Sequence, residues 1–167
     1  MRTLPQFLEA YGESHRNPVN QWVHFICVPL IFFSSVGLLW LLQVGAWLGM
    51  AEPAATWVNG ATIIGVLAAI FYLMLGVGTL VLMAGWFALS VWLVLLLEAS
   101  ALSMGWTCAG IWVASWAAQF WGHKIEGKKP SFSEDLIFLL IGPVFVCVEL
   151  AAKAGLPVKL PTTGAQH

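Results

Sequence analysis

Charge is the scarcest property of this chain. Seven Lys/Arg and eight Asp/Glu are all that its 167 residues carry, 9% of the total, where a soluble domain carries about 25%. That deficit excludes an ordinary soluble domain, and a mean hydropathy of +0.86 points to an all-α integral membrane protein. A net charge of -1 gives no electrostatic basis for a nucleic-acid partner. Residues 1–20, "MRTLPQFLEAYGESHRNPVN", lack a basic start, an apolar centre and a small-residue cleavage site, so no cleavable signal peptide is expected. The first span is then expected to double as the insertion signal. Cys27, Cys108 and Cys147 stand singly in apolar runs, which excludes a disulfide framework or a cysteine metal pair and suits small buried hydrophobes. No histidine pair has the spacing H-x-x-x-H, so no single helix carries a ready-made metal motif.

What the chain has is apolar length. A spanning helix needs about 20 predominantly apolar residues, and five segments approach this. They run from about Trp22 to Leu42, Trp57 to Leu75, Thr79 to Leu97, Met104 to Trp121 and Leu136 to Ala152. Glu52 and Pro53 break the first connection, "GVGT" ends the second span, and "EASALS" divides the long run 79–122. Residues 1–17 form an amphipathic lead-in and 153–167 a polar tail, so the whole chain is one membrane domain. The ten tryptophans suit anchors at the membrane–water boundary.

Lysine and arginine set the orientation. Arg2 and Arg16 precede span one, and Lys124, Lys128 and Lys129 follow span four; Lys153 and Lys159 are a small exception on the outer side. The reading is a multi-pass protein with a cytoplasmic N-terminus. Four spans separate His24 from His123, which brings both to that face; an odd number would part them by about 30 Å. His167, the last residue, stands outside this grouping.

His15 and His24 frame the entry to the membrane. Leu4, Phe7, Leu8 and Tyr11 follow the i, i+3, i+4, i+7 pattern, and His15, eleven residues after Leu4, falls about 20° from the same face. An interfacial histidine with its tip in water fits that spacing too. Asn17–Pro18 reads as an N-cap followed by proline at the first helical position. Asn20 and His24 then share one helix face, and Gln119 and His123 repeat the amide-then-histidine spacing at the exit of span four. Ser131 and Glu134 fit a capping box for span five. Three imidazoles with Glu126 nearby are ligand types for iron, zinc or copper, and the two carboxamides are candidates for fixing ring orientation. Hydrogen-bonded interfacial histidines remain the plain alternative. Glu149 lies near the far end of span five, where snorkelling outward would suffice.

The pattern H-x4-N-x3-H-x4-P (His15, Asn20, His24, Pro29), joined to "GHKIEGKKPSF" near the other end, resembles the bacterial branch of the 2-hydroxy-fatty-acid dioxygenase family. That family was long described as a domain of unknown function, and its yeast member acts in phytosphingosine breakdown. The resemblance implies an iron(II) enzyme that takes a long-chain 2-hydroxy fatty acid and O2 and returns a fatty acid one carbon shorter and CO2, without 2-oxoglutarate. It implies His15, His24 and His123 as the Fe2+ ligands, with Asn20 at the motif asparagine and Glu126 at the acidic, catalytic position. Lys124 and Lys128 are candidates to pair with the substrate carboxylate, although positive-inside charge explains them equally. The expected setting is a bacterial inner membrane, with the metal site on the cytoplasmic side among lipid. Two other readings use the same residues: a bis-histidine haem electron carrier, and a non-catalytic scaffold or transporter subunit.

Overall fold

The computed structural model describes residues 2–130 and 136–156. Every regular element among them is helical: α1 (Leu4–Gly12), α2 (Pro18–Trp40), α3 (Val44–Trp47), α4 (Ala54–Trp57), α5 (Gly60–Leu75), α6 (Val77–Glu98), α7 (Met104–Glu126) and α8 (Phe138–Lys153). Each of the five expected spans coincides with a helix. Among the described residues two segments, Pro18–Trp47 and Val77–Glu98, are long and apolar enough to cross a membrane, and Gly60–Leu75 is apolar but shorter. The expected cap Ser131–Glu134 lies outside the described residues.

The chain divides into two compact units. One comprises residues up to Pro29 and from Ser115 onward; the other is Leu30–Ala114. In the first unit, α1 starts with the Thr3 N–H donating to Gln6 Oε1 at 2.8 Å, and it buries Phe7, Leu8 and Tyr11 while Glu9 stays exposed. Those positions are the apolar stripe, so the period of the sequence sets the buried face. The chain bends after α1 and starts again at Pro18, where a missing N–H costs nothing because the first turn has no acceptor for it. Asn17 Oδ1 accepts from the Val19 N–H at 2.9 Å, the expected cap. Phe25, Val28 and Val146 pack as one apolar cluster of this unit.

The second unit packs Val36, Trp40, Ala61, Val91 and Val94 together. Gly37 gives room to Cys108, whose Sγ a Cβ at that position would strike; the cysteine acts here as the small hydrophobe expected. Asn59 opens α5 by accepting from the Thr62 N–H at 3.1 Å. The sequence placed a four-residue break between spans two and three, but the connection is a single residue, Gly76, with φ 133° and ψ 151°. Only glycine adopts that conformation without strain, so the short link was hidden behind the neighbouring Gly78. A Cβ on Gly65 would stand 3.0 Å from the Phe87 ring, so α5 and α6 pair as an antiparallel hairpin. The hairpin exposes Val66, Leu67, Ile70, Val81, Leu89 and Trp92.

Gly76→Ala forces a Cβ into that conformation and is expected to lower stability by about 1–3 kcal/mol. Thermal unfolding in detergent checks this; an unchanged midpoint would show that the hairpin tolerates another link.

Candidate metal centre

Three histidine rings meet inside the first unit. His15 comes from the bend after α1, His24 from the second turn of α2 and His123 from the last turn of α7. All three are buried, at 2%, 1% and 5% exposure. Their ring centroids are 4.3 Å (His15–His24), 4.9 Å (His15–His123) and 5.0 Å (His24–His123) apart. One nitrogen from each lies within 4.8 Å of the others.

The hydrogen bonds fix which nitrogens carry protons. His15 Nδ1 is 2.6 Å from the Tyr11 carbonyl, and His24 Nδ1 is 2.9 Å from the Asn20 carbonyl. A carbonyl only accepts, so each Nδ1 donates a proton and each neutral ring keeps a lone pair on Nε2. Those two Nε2 atoms face each other at 3.0 Å. Two lone pairs cannot bond each other; a cation between them can be bound by both. Metal–nitrogen bonds of about 2.1 Å set at right angles place their nitrogens about 3.0 Å apart, so the spacing fits one shared ion. The His123 ring is bonded by the Lys128 backbone, while its buried Nδ1 has no hydrogen-bond partner. The donor set therefore fits a metal ion on three neutral imidazoles.

Burial first, and then the neighbouring His24 ring, push His15 down to about 2 from its ordinary 6.5, against the pull of the Tyr11 carbonyl. It is neutral across the physiological range, the form a metal needs. Tyr11 stacks on this ring with centroids 4.1 Å apart and planes 5° from parallel, and burial raises its phenol well above the ordinary range. Phe145 closes on His15 at 5.6 Å.

Glu126 does not join the three rings. Its Oε1 accepts from the Arg16 N–H at 3.0 Å, and its Oε2 from the Asn17 N–H at 2.9 Å and Asn20 Nδ2 at 3.2 Å. Partial burial would raise its pKa, but these donors, with His123, hold the carboxylate below its usual range. It clamps the end of α7 to the bend between His15 and His24. Asn20 adds a bond from Nδ2 to the Ser14 carbonyl at 3.1 Å. Its Oδ1 packs on Gly122, where a Cβ would come within 2.5 Å of it. The glycine of the "GH" pair is thus what lets α7 approach the bend. Gln119 is buried one turn before His123. Lys124 is exposed, and Lys128 Nζ donates to the Glu13 carbonyl at 3.0 Å, at the end of α1 rather than at the rings.

Reading the sequence for polar groups missed Tyr11, Ser14 and Gln21. Ser14 Oγ lies 3.2 Å from His15 Nδ1, and Gln21 Nε2 donates to the His15 carbonyl at 2.8 Å. A signal did exist for Tyr11. It precedes His15 by four residues, as Asn20 precedes His24, and in both cases the earlier residue's carbonyl holds the ring.

An all-helical fold around a buried, metal-competent histidine triad defines the class. Residues 1–154 match the family described as "2-hydroxy-palmitic acid dioxygenase Mpo1-like", and the chain belongs to that family. It is 28% identical over 158 residues to the 2-hydroxy-palmitic acid dioxygenase MPO1 of Saccharomyces cerevisiae, covering 93% of this chain and 84% of the yeast protein. No solved structure matches. Membership supports a dioxygenase-type activity on 2-hydroxy fatty acids at the level of the family.

Two outcomes follow. Glu126→Ala removes the acceptor of two backbone N–H groups, one exposed and one part-buried, and is expected to cost about 0.5–1.5 kcal/mol, read as a lower unfolding midpoint; no change would mean the clamp is idle. His15 binds its proton only in the unfolded chain between its ordinary 6.5 and about 2. The metal-free protein should therefore lose stability as pH falls below 6.5. That loss should be shallower in His15→Asn, as followed by unfolding midpoints from pH 7.5 to 5.

Proposed function

We propose that this protein is an iron(II)-dependent membrane dioxygenase that shortens long-chain 2-hydroxy fatty acids by one carbon. The observation that carries the reading is the pair of unprotonated Nε2 atoms 3.0 Å apart, with the buried, unpartnered His123 Nδ1 as the third donor. Family membership supplies the substrate class. The overall change balances without a co-substrate: a 2-hydroxy acid and O2 give the shorter acid, CO2 and water. The C1–C2 bond breaks, C2 is oxidised from alcohol to carboxyl, and O2 is reduced.

Iron(II), when bound, would supply O2 chemistry and a charge for the carboxylate and hydroxyl of the substrate. The chain's own part is to present ligands and exclude water. Tyr11 and Asn20 carbonyls hold two rings in the ligating tautomer. Phe145 and the stacked Tyr11 ring shield His15, and Glu126 keeps the bend closed on α7. None of these groups has to move a proton to do so.

Membrane placement is part of the proposal. The exposed apolar faces of α5 and α6 support it, since only 22% of the Val77–Glu98 window is buried. With α2 carrying His24 in its second turn, the three rings sit at the headgroup boundary on the cytoplasmic side of a bacterial inner membrane. The polar end of an amphiphilic substrate would meet them there while its acyl chain stays among lipid.

A haem carrier fits less well. His15 and His24 Nε2 stand 3.0 Å apart, too close for this pair to hold a macrocycle between them.

Elemental analysis of anaerobically purified protein should find about one iron per chain. Incubation with 2-hydroxypalmitate and O2 should yield the C15 acid by mass spectrometry. Ala at His15, His24 or His123 should each remove both the metal and the product. Full metal content in all three variants would sink the proposal, and a Soret band would favour haem instead.

A further inference from the structure

His15 differs from the other two rings in what carries it. His24 and His123 stand in α2 and α7, whereas His15 lies in the bend after α1, outside any helix. A ligand presented from a loop is aimed less sharply than one on a helix unless its surroundings lock it. The bond from His15 Nδ1 to the Tyr11 carbonyl, 2.6 Å long, ties the ring at one atom and leaves its tilt about that bond to packing. The residue that supplies the carbonyl also supplies the packing. The Tyr11 ring lies on the imidazole with centroids 4.1 Å apart and planes 5° from parallel. A plate set parallel to the ring blocks the tilt that the hydrogen bond permits.

Tyr11 is in turn held by α8. Phe138 meets its ring at 6.2 Å and Phe145 at 4.8 Å, and Phe145 also reaches His15 at 5.6 Å. Between these two phenylalanines in the chain comes Gly142. A Cβ there would stand 3.1 Å from the Tyr11 hydroxyl and 3.7 Å from its Cζ. The first contact needs a shift of a few tenths of an ångström, and the second is ordinary van der Waals distance. The phenol therefore meets the α8 backbone end-on, at its oxygen. Phe138 also packs on Phe7 at 5.8 Å, and a Cβ on Gly12 would touch Phe145 at 3.7 Å, so α8 rests on α1 over both turns. A rigid ring with α8 at its tip and His15 on its face passes a displacement of one to the other.

We propose that Tyr11, wedged between α8 and His15, is a positioning residue for the metal centre, and that α8 shapes that centre through it without giving a ligand. This rests on the metal reading of the three rings given above and adds a residue that acts only through His15. The hydroxyl is the point of transmission. Gly142→Ala presses on it, and Tyr11→Phe releases the pressure, because Cζ already stands at contact distance from the new methyl group. Simple filling of space would show the same compensation in an unfolding midpoint, but it would leave the spectrum of a bound metal where it was.

Co2+ is the probe, since its visible absorption follows the geometry of its ligands. The full-length chain, purified in detergent and freed of metal, is titrated with Co2+ as wild type, Tyr11→Phe, Gly142→Ala, the double variant and Tyr11→Leu. Tyr11→Phe keeps the stack and should bind within about twofold of wild type, while Tyr11→Leu should bind about 10–100-fold more weakly, the usual cost of losing an outer contact to a ligating histidine. Gly142→Ala should shift the visible band and weaken binding about tenfold, and adding Tyr11→Phe should restore both. Comparing Gly142→Ala in the two backgrounds removes what it does to α8 itself, and this pair decides the matter if Tyr11→Leu does not fold. A band and affinity unmoved by Gly142→Ala, or moved and not restored by Tyr11→Phe, would overturn the proposal, as would wild-type binding by a folded Tyr11→Leu. Failure of the wild-type chain itself to bind Co2+ would overturn the metal reading, and this proposal with it.

Discussion

Two imidazole nitrogens 3.0 Å apart, both without a proton and both buried, set the constraint on which the first unit is built. Left alone, the pair is repulsive, and burial makes protonation of His15 a poor remedy. The geometry persists because both rings are tied from behind. Each Nδ1 donates to a carbonyl one helical turn earlier, so local backbone structure fixes tautomer and direction together. The rings are aimed by contacts only four residues away in the chain. What long-range packing adds is the third ring and the shielding by Tyr11 and Phe145.

In so weakly charged a chain, the use of Glu126 is informative. The first N–H groups of a helix have no partner within it and carry partial positive charge. Arg16 and Asn17 lie just ahead of α2, and the Glu126 carboxylate accepts from the N–H groups of both. The same carboxylate reaches Asn20, whose backbone holds His24. One acid from the end of α7 thus organises the bend that separates the two N-terminal ligand candidates, and it comes from the same last turn as His123. Gly122 is the steric condition for that contact, since any side chain there would collide with Asn20.

Much of this was legible because it is local. The stripe Phe7, Leu8, Tyr11, the start of α2 at Asn17–Pro18 and the four-residue step from Asn20 to His24 all follow from helical period and capping chemistry. The meeting of His24 with His123 was expected from an even number of apolar segments between them, and the two rings do meet. The destination of Glu126 was not legible, because a carboxylate near histidines reads equally as ligand, base or clamp until backbone donors are located. Nor was the packing of α8, since hydropathy measures how apolar a segment is and not that Phe138 and Phe145 rest on the rings of α1. The single-residue link at Gly76 was invisible for a related reason: composition marks a glycine-rich break but not which glycine takes the positive φ.

Among the described residues no acid joins the three rings, and this bears on what the proposed site would accept. Three neutral imidazoles leave a divalent ion its full charge, and a buried charge of that size is costly unless it is paired. Glu126, the nearest carboxylate on α7, is already engaged with the backbone and Asn20. With no other acid among the described residues at the rings, neutralisation would come from what binds. A 2-hydroxy acid carries a carboxylate and an adjacent hydroxyl, so it brings the missing negative charge together with the carbon to be oxidised. On this argument the substrate completes the electrostatics of the site, and a neutral analogue such as the corresponding alcohol would leave the ion unpaired.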